Sequence, residues 1–174
     1  VLIGEGTCSQ PYSSSRLNIS AMSYGALSDR AIESLNGGAK KGGFAHNTGE
    51  GSISSFHLKP GGDLIWQIGT GYFGCREKDG TFCDSTFKER ASLENVKMIE
   101  IKISQGAKPG HGGILPGSKV TPEISAIRDV ELGVDVLSPP GHSAFGKPIE
   151  LLEFITKLRE VSGGMPVGFK LCLG

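Results

Sequence analysis

The strongest constraint on the fold is an alternation along the chain. Short apolar segments with strand character are followed by glycine-rich loops, and amphipathic helical segments lie between them. Repeated β-loop-α units of this kind fold as a parallel sheet with helices outside it. In such folds the loops at the carboxyl ends of the strands carry the ligand site. We therefore expect an α/β protein whose binding residues follow its strands.

Five short apolar runs are predicted to be strands of this sheet. They are residues 17–22, 44–48, 98–104, 134–138 and 166–171. Residues 63–70 form a further apolar run, which we interpret as an extra strand or one arm of a hairpin. A complete (β/α)8 barrel needs about 250 residues. The chain has 174, so we expect a single domain, residues 1–174, that contains about the first five parallel strands of a barrel.

Three segments are predicted to be helices. Ser28 has the residue type of an N-cap for a helix through about residue 39, which Gly42 and Gly43 would end. Residues 121–130 are predicted to form a second, short helix with Pro122 in its first turn. Residues 148–161 form the third, because their apolar side chains recur three and four positions apart.

Composition limits the kinds of partner and the cellular compartment that we expect for this protein. Lys plus Arg and Asp plus Glu each number 18, so the net charge is zero, which argues against nucleic-acid or membrane partners recruited by bulk charge. The four cysteines form no CxxC pair, so we expect no metal site within this chain. No apolar run approaches the ~20 residues of a membrane helix. With no export segment in the sequence, we expect a cytoplasmic protein.

The loops and strand ends contain the candidate binding residues. The sequence has no Walker A motif, and no GxGxxG motif follows the first strand. Residues 106–113 (GAKPGHGG) let the backbone approach an anion while Lys108 supplies charge, although such a stretch also suits a mobile surface loop. Lys102 and Lys170 lie inside apolar strands, where a buried lysine needs an anionic partner. A solvent-facing position is the alternative for Lys102.

Three other residues in these loops could carry chemistry. Glu50 lies between two glycines, which indicates a constrained turn. His111 and His142 could act as acids or hydrogen-bond donors, although an isolated loop histidine is more often solvated. No Ser–His–Asp or Cys–His arrangement is visible in the sequence.

Six segments together resemble the FMN-binding domain of glutamate synthases. They are residues 21–28 (AMSYGALS), 47–51 (NTGEG), 101–113 (IKISQGAKPGHGG), 115–124 (LPGSKVTPEI), 138–144 (SPPGHSA) and 168–174 (GFKLCLG). The resemblance includes the shorter stand-alone glutamate-synthase-like proteins, which lack an amidotransferase domain. It implies a (β/α)8 barrel in which FMN lies across the carboxyl ends of the strands and serves to reduce 2-iminoglutarate to glutamate.

The resemblance also implies roles for individual residues. Ala21, Met22 and Ser23 would back the flavin ring, with Thr48 beside it. Gln105 and Lys170 would contact the pyrimidine edge, and Lys102 is a further cofactor-binding candidate. A lysine there would stabilise the negative charge of reduced flavin.

The substrate roles follow in the same way. Lys108 and Arg128 would hold the two carboxylates of 2-oxoglutarate, or of a similar small dicarboxylate, with Gly112 and Gly113 in the same substrate loop. Lys108 and Glu50 are the catalytic candidates, and Glu50 matches a loop acid linked to communication between active sites.

The sequence departs from the family pattern in ways that limit these expectations. His111 replaces an acid, and Ile114 replaces a substrate-binding glutamine. The cysteines of a 3Fe–4S cluster would lie downstream, so such a cluster would not be ligated by this chain. The electron donor, ferredoxin or an NAD(P)H-linked partner, is undetermined.

Three functions remain open. The first is an FMN-dependent oxidoreductase of glutamate synthase type. The second is a noncatalytic fragment or module that needs a partner to complete the barrel. Another FMN barrel, such as an isomerase, is the weakest of the three. Open edges on a partial barrel predict a homo-oligomer or completion by further protein.

Overall fold

The computed structural model describes residues 1–104 and 112–172. The candidates Gln105, Lys108 and His111 lie outside the described residues. In chain order the strands are β1 (Leu2–Ile3), β2 (Tyr12–Ser13), β3 (His46–Asn47), β4 (Leu64–Ile68), β5 (Val96–Lys102), β6 (Ile114–Leu115), β7 (Val136–Leu137) and β8 (Val167–Lys170). The helices are α1 (Asp29–Gly42), α2 (Ser55–Leu58), α3 (Asp84–Ala91), α4 (Pro122–Arg128) and α5 (Pro148–Val161).

The central sheet is parallel, as the alternation of elements predicted. Its strand order is β3-β4-β5-β8, and every neighbouring pair is parallel. Ile19 adds a parallel bridge to His46 at the β3 edge. The described architecture is therefore an α/β fold with a four-stranded parallel sheet, and it is compatible with part of a barrel.

One strand assignment made from the sequence is wrong. Residues 134–138 do not join the central sheet, because β8 pairs directly with β5. Only Val136 and Leu137 become a strand, which pairs antiparallel with β6. Of the two alternatives for residues 63–70, the extra strand is confirmed and the hairpin arm is not, because these residues contain β4, an inner strand of the parallel sheet. Inner parallel strands are covered on both faces and so lack the alternating pattern that identifies half-exposed strands.

The predicted helices form, with small changes at their ends. α1 begins after Ser28, whose side-chain oxygen accepts a hydrogen bond from the Ala31 N–H. It continues to Gly42 and ends at Gly43, which has a φ of 66° that glycine adopts readily. α5 has the predicted bounds, and α4 is shorter than predicted. The short helices α2 and α3 were not predicted.

The two faces of the sheet differ in chemistry. One face carries apolar side chains such as Trp66 and Ile99, which belong to the main core together with Phe87 of α3 and with Phe154 and Leu158 of α5. The alternate positions on β4 and β5 place Gln67, Glu100 and Lys102 on the opposite face. A smaller apolar cluster, which we call the satellite cluster, contains Phe73, Leu115, Val120, Ile124 and Val136.

The satellite cluster packs the segment between β6 and β7 against the loop that follows β4. Phe73 comes from that loop, whereas the other buried members lie between residues 115 and 136. α4, which carries Arg128, is thereby fixed over the carboxyl end of the sheet. In the described parts of the chain, no helix has the length and apolar character needed to span a membrane.

Candidate active site

A cleft of about 250 Å³ opens where the loops after the strands meet the segment between β6 and β7. The residues that line this cleft come from separate parts of the chain. They include Ser23, Glu50, Gly113, Lys119, Arg128 and Ser138. Because Ser23 and Glu50 follow the first two parallel segments, the cleft lies at the end of the sheet where α/β folds bind ligands.

An ion pair lies beside this cleft. The Lys102 Nζ donates to Glu50 Oε1 at 2.5 Å, and the two side chains are only 14% and 22% exposed. Lys102 therefore has the anionic partner that its place in an apolar strand requires. Glu50 packs tightly against Gly69. A Cβ added at Gly69 would lie 2.5 Å from Glu50 Oε2, so a larger residue has no room there.

Arg128 enters the cleft from the end of α4. Its Nη2 donates to the Tyr24 carbonyl oxygen at 3.1 Å. Glycines make room for the guanidinium, because a Cβ at Gly51 would lie 2.8 Å from Nη2 and one at Gly25 would lie 3.2 Å from it. Burial lowers the pKa of Arg128, while nearby Glu50 raises it. Arginine nonetheless stays charged in proteins, so the cleft holds a buried cation.

Lys170 lies next to Lys102 on the same face of the sheet. The two residues are direct partners in the register of β5 and β8, which places their side chains on the same side. Further along this face, Glu100 Oε1 accepts hydrogen bonds from Asn47 Nδ2 at 2.8 Å and Gln67 Nε2 at 2.6 Å. This face is therefore polar, and two lysines lie at its carboxyl end.

Residues 21–23 are held by backbone contacts and a buried histidine. The Met22 N–H donates to the Asn47 carbonyl at 3.1 Å, and His57 Nε2 donates to the Met22 carbonyl at 3.0 Å. His57 therefore carries its proton on Nε2, and its unprotonated Nδ1 accepts a hydrogen bond from the Ser54 N–H at 3.2 Å. Burial lowers the pKa of His57, which favours the neutral ring that this pattern needs.

Thr48 is buried, and its hydroxyl is already bonded. It donates to the Gly49 carbonyl at 3.0 Å and accepts from the Gln67 N–H at 3.1 Å. Gly49 packs tightly against residue 23, because a Cβ there would lie 2.8 Å from the Ser23 nitrogen. Thr48 can therefore contribute packing beside a ligand rather than a free hydrogen bond.

His142 is a connecting residue rather than a solvated one. Its Nε2 donates to the Lys102 carbonyl at 2.8 Å, which leaves Nδ1 to accept from the Tyr72 hydroxyl at 3.1 Å. The same hydroxyl accepts from the Ala144 N–H at 3.1 Å. Burial lowers the pKa of His142, so the ring is held neutral between the end of β5 and the loop after β4.

The structure brings several of the sequence candidates together. Ser23, Glu50, Gly113 and Arg128 line one cleft, and Lys102 is bonded to one of them. Gly112 packs against the Ser138 backbone, to which Gly113 is hydrogen-bonded. Ala21 and Met22 precede Ser23 in the segment that His57 holds.

Other contributors were missed from the sequence. Lys119 lines the cleft, Phe73 packs with two of its lining residues, His57 is bonded to the Met22 carbonyl, and Tyr72 is bonded to His142. The Ser54–His57 spacing of a capping box is a signal that could have identified His57. Tyr72 and Phe73 gave no such signal, because their role depends on contacts with distant segments.

Comparison with known proteins identifies the family of the chain. The family model described as the conserved region in glutamate synthase matches residues 4–174. The chain therefore belongs to the glutamate synthase family.

Individual relatives agree with the family match. The chain is 46% identical over 175 residues to the glutamate synthase large subunit-like protein YerD of Bacillus subtilis, a match that covers 99% of this chain and 33% of that protein. It is 40% identical over 154 residues to the archaeal glutamate synthase [NADPH] of Archaeoglobus fulgidus, which covers 87% of this chain and 27% of that protein. The ferredoxin-dependent glutamate synthase of Cyanidium caldarium is 37% identical over 161 residues, 86% of this chain and 10% of that protein. The chain thus spans a third or less of the length of these relatives.

Proposed function

We propose that this chain forms part of an FMN-dependent oxidoreductase of glutamate synthase type. The reaction is the reduction of 2-iminoglutarate, or of a related imino or keto acid, to an amino acid. The observation that carries this proposal is the buried guanidinium of Arg128 in the cleft at the carboxyl end of the parallel sheet. Membership of the glutamate synthase family supports the same class of chemistry.

The proposed substrate is 2-oxoglutarate or a similar small dicarboxylate. Arginine binds a carboxylate through two parallel hydrogen bonds when its guanidinium is held in one plane. Arg128 is fixed in this way by the Tyr24 carbonyl and two close glycines. Lys108 is the proposed partner for the second carboxylate, with Gly112 and Gly113 forming the adjoining backbone. Ile114 lines the same cleft and makes one side of it apolar.

The proposed cofactor is FMN, bound across the carboxyl ends of strands in a completed (β/α)8 barrel. The polar face of the sheet fits a flavin edge, because Lys102 and Lys170 lie side by side at its carboxyl end. Together with Gln105 these residues are the proposed contacts of the pyrimidine ring, and residues 21–23 and Thr48 are the proposed backing. When bound, FMN supplies the reducing equivalents. The lysines would stabilise the negative charge that accumulates on it.

Glu50 is the proposed link between the cofactor and substrate sides. It accepts the hydrogen bond of Lys102, and its charge acts on Arg128. A change at either cation would therefore be transmitted to the other through one carboxylate. This is the physical basis on which we propose Glu50, with Lys108, as a catalytic candidate.

The partners for electron transfer are proposed from the class of protein. One relative is named for NADPH and another for ferredoxin, so either donor type suits the family. A 3Fe–4S cluster, where the full protein has one, would draw its ligands from outside this chain. Within the described residues, no group of three or more His, Cys, Asp or Glu side chains is placed to hold a metal.

The test is a visible absorption spectrum and a steady-state assay on the complete protein. With NADPH or reduced ferredoxin as the electron donor, we expect flavin absorbance and turnover with 2-oxoglutarate plus ammonia that exceeds turnover with a panel of monocarboxylic keto acids. Arg128→Met should raise KM for the dicarboxylate, because the guanidinium contact is lost. A complete protein that takes up no flavin on reconstitution, or equal KM values for Arg128→Met and the parent, would overturn the proposal.

A second candidate is a noncatalytic module that needs a partner to complete the barrel. The observation in its favour is the exposed edge at β8, where Phe169 and Leu171 are 45% and 40% exposed. The same absorption spectrum separates the two candidates. A module that never binds flavin in the complete protein would have the fold of the family without its chemistry.

A further inference from the structure

Phe73 lies beneath the cleft and has two guanidinium groups over its ring. The Arg128 Cζ is 5.3 Å from the ring centroid, and the Arg76 Cζ is 5.7 Å from it. A cation within about 6 Å of an aromatic face is attracted by the ring quadrupole, and the attraction grows when both groups are removed from water. Phe73 is 3% exposed and Arg128 is 7% exposed, so this condition is met.

The hydrogen bonds of Arg128 do not account for its position by themselves. Within the described part of the protein, its buried Nε has no hydrogen-bond partner, and neither has that of Arg76. A buried charged group without full hydrogen bonding is unfavourable unless another interaction compensates. The face of Phe73 is a contact that both arginines share, and for Arg128 it adds to the charge of nearby Glu50.

We propose that Phe73 is a positioning residue for substrate binding. Its ring holds the Arg128 guanidinium in the plane in which that group receives one carboxylate of the substrate. This inference rests on the proposed function and adds to it a residue outside every motif on which the family resemblance depends. Phe73 acts through Arg128 and lies below the cleft, so it is not itself a substrate contact.

The packing around Phe73 explains how one ring can set the geometry of the cleft. Phe73 is a buried member of the satellite cluster, where it meets Leu115, Ile124 and Val136. Leu115 and Val136 also line the cleft, and Ile124 is one turn before Arg128 on α4. The loop after β4 therefore fixes the cation and the adjacent wall together.

The test compares Phe73→Leu with Phe87→Leu in the complete protein. Phe87 is also fully buried, but it stacks on Trp66 in the main core and does not line the cleft. Isothermal titration measures Kd for 2-oxoglutarate. We expect Phe73→Leu to weaken binding about 2- to 30-fold, the range that corresponds to loss of one cation–π contact. Phe87→Leu should bind as the parent does, and Phe73→Tyr, which keeps the ring, should stay near the parent value.

A double-mutant cycle distinguishes positioning from general destabilisation. In an Arg128→Met background, Phe73→Leu should cause no further change in Kd, because the group it positions is gone. An equal additional loss in that background would overturn the proposal. Equal weakening by Phe73→Leu and Phe87→Leu would also overturn it.

A second readout does not depend on the ligand. Phenylglyoxal modifies accessible arginines, and mass spectrometry gives the rate at Arg128. We expect this rate to rise severalfold in Phe73→Leu and to stay unchanged in Phe87→Leu. If the parent shows no affinity for 2-oxoglutarate, the proposed substrate is wrong, and the modification rate still decides the role of Phe73. An unchanged rate in Phe73→Leu would overturn that role.

Discussion

At the scale of single residues, the site depends on charges that are each compensated by a neighbour. Lys102 is bonded to Glu50, Arg128 lies over Phe73, and Glu100 accepts from two amides. Such groups are stable in a partly buried position only while their partners are present. Removing one partner should therefore affect stability as well as ligand binding.

Lys102→Met tests this dependence. The change leaves Glu50 without its bonded cation in a site where its side chain is only 22% exposed. We expect the free energy of unfolding to fall by about 1–3 kcal/mol, as for the loss of a charged hydrogen bond. Lys59→Met is the control, because the Lys59–Glu33 pair is at the surface and should contribute less than about 1 kcal/mol. Equal midpoints of urea unfolding in the two variants would contradict the prediction.

His46 offers a test of pH dependence. It is fully buried, and burial followed by repulsion from His57 lowers its pKa from 6.5 to about 4. The unfolded chain therefore binds this proton more readily, so stability is complete above pH 6.5 and is lost as the pH falls towards 4. Both ring nitrogens lack a hydrogen-bond partner among the described residues. His46→Leu should therefore reduce the loss of thermal midpoint between pH 7 and pH 5, and an identical loss in the parent and the variant would refute this.

At the scale of elements, predictions from the sequence succeeded where a single helix determined the pattern. α5 was predicted correctly because its apolar spacing and its proline at the first turn are local signals. Residues 134–138 were assigned to the wrong sheet. The sequence pattern of a two-residue strand does not distinguish a strand of a parallel sheet from one of an antiparallel pair. Whether β7 or β8 pairs with β5 depends on tertiary packing, which no local pattern contains.

The candidate site shows the same division. Glu50 was proposed from its glycine-flanked loop and Arg128 from the family resemblance, and the structure brings both to one cleft. Phe73 gave no signal in the sequence, and His142 was considered only as an isolated loop histidine, because the role of each depends on partners that are distant in sequence. His142 contacts Lys102 and Tyr72, which are 40 and 70 residues away. Roles of this kind depend on how loops pack together, and that is a property of the fold.

One glycine within a helix and one just before a strand give a prediction at this scale. Gly38 is an exposed position in α1, and a Cβ there would meet nothing within 4 Å. Gly38→Ala should raise the free energy of unfolding by about 0.5–1 kcal/mol, because alanine loses less backbone entropy in a helix. Gly62→Ala is the contrast, since its Cβ would lie 2.8 Å from the Asn36 carbonyl oxygen. Thermal midpoints that move in the same direction for both variants would show that the helix argument is wrong.

At the scale of the whole molecule, the two faces of the sheet have different roles. The outer face is covered by α3 and α5 and forms the main core. The polar face carries Gln67, Glu100 and the two lysines, and the loops at its carboxyl end form the cleft. Apolar packing on one face and polar groups on the other therefore separate the core of the molecule from the candidate site.

The edge of the sheet at β8 gives the last prediction. In the described sheet β8 pairs on one side with β5, and Phe169 in β8 and Leu171 just after it are 45% and 40% exposed. An open strand edge with exposed apolar side chains is a template for pairing with another chain. Residues 1–174, produced by themselves, should therefore self-associate or require further protein to complete the sheet, and the monomer should hold no flavin. Light scattering measures the self-association, and a flavin spectrum measures the bound cofactor.

Two variants test the role of this edge. Phe169→Lys, which places a charge on β8, should reduce self-association, whereas Lys41→Ala at the end of α1 should not. A compact parent monomer that carries stoichiometric FMN would refute the prediction, and it would mean that the described loops bind the cofactor without further strands.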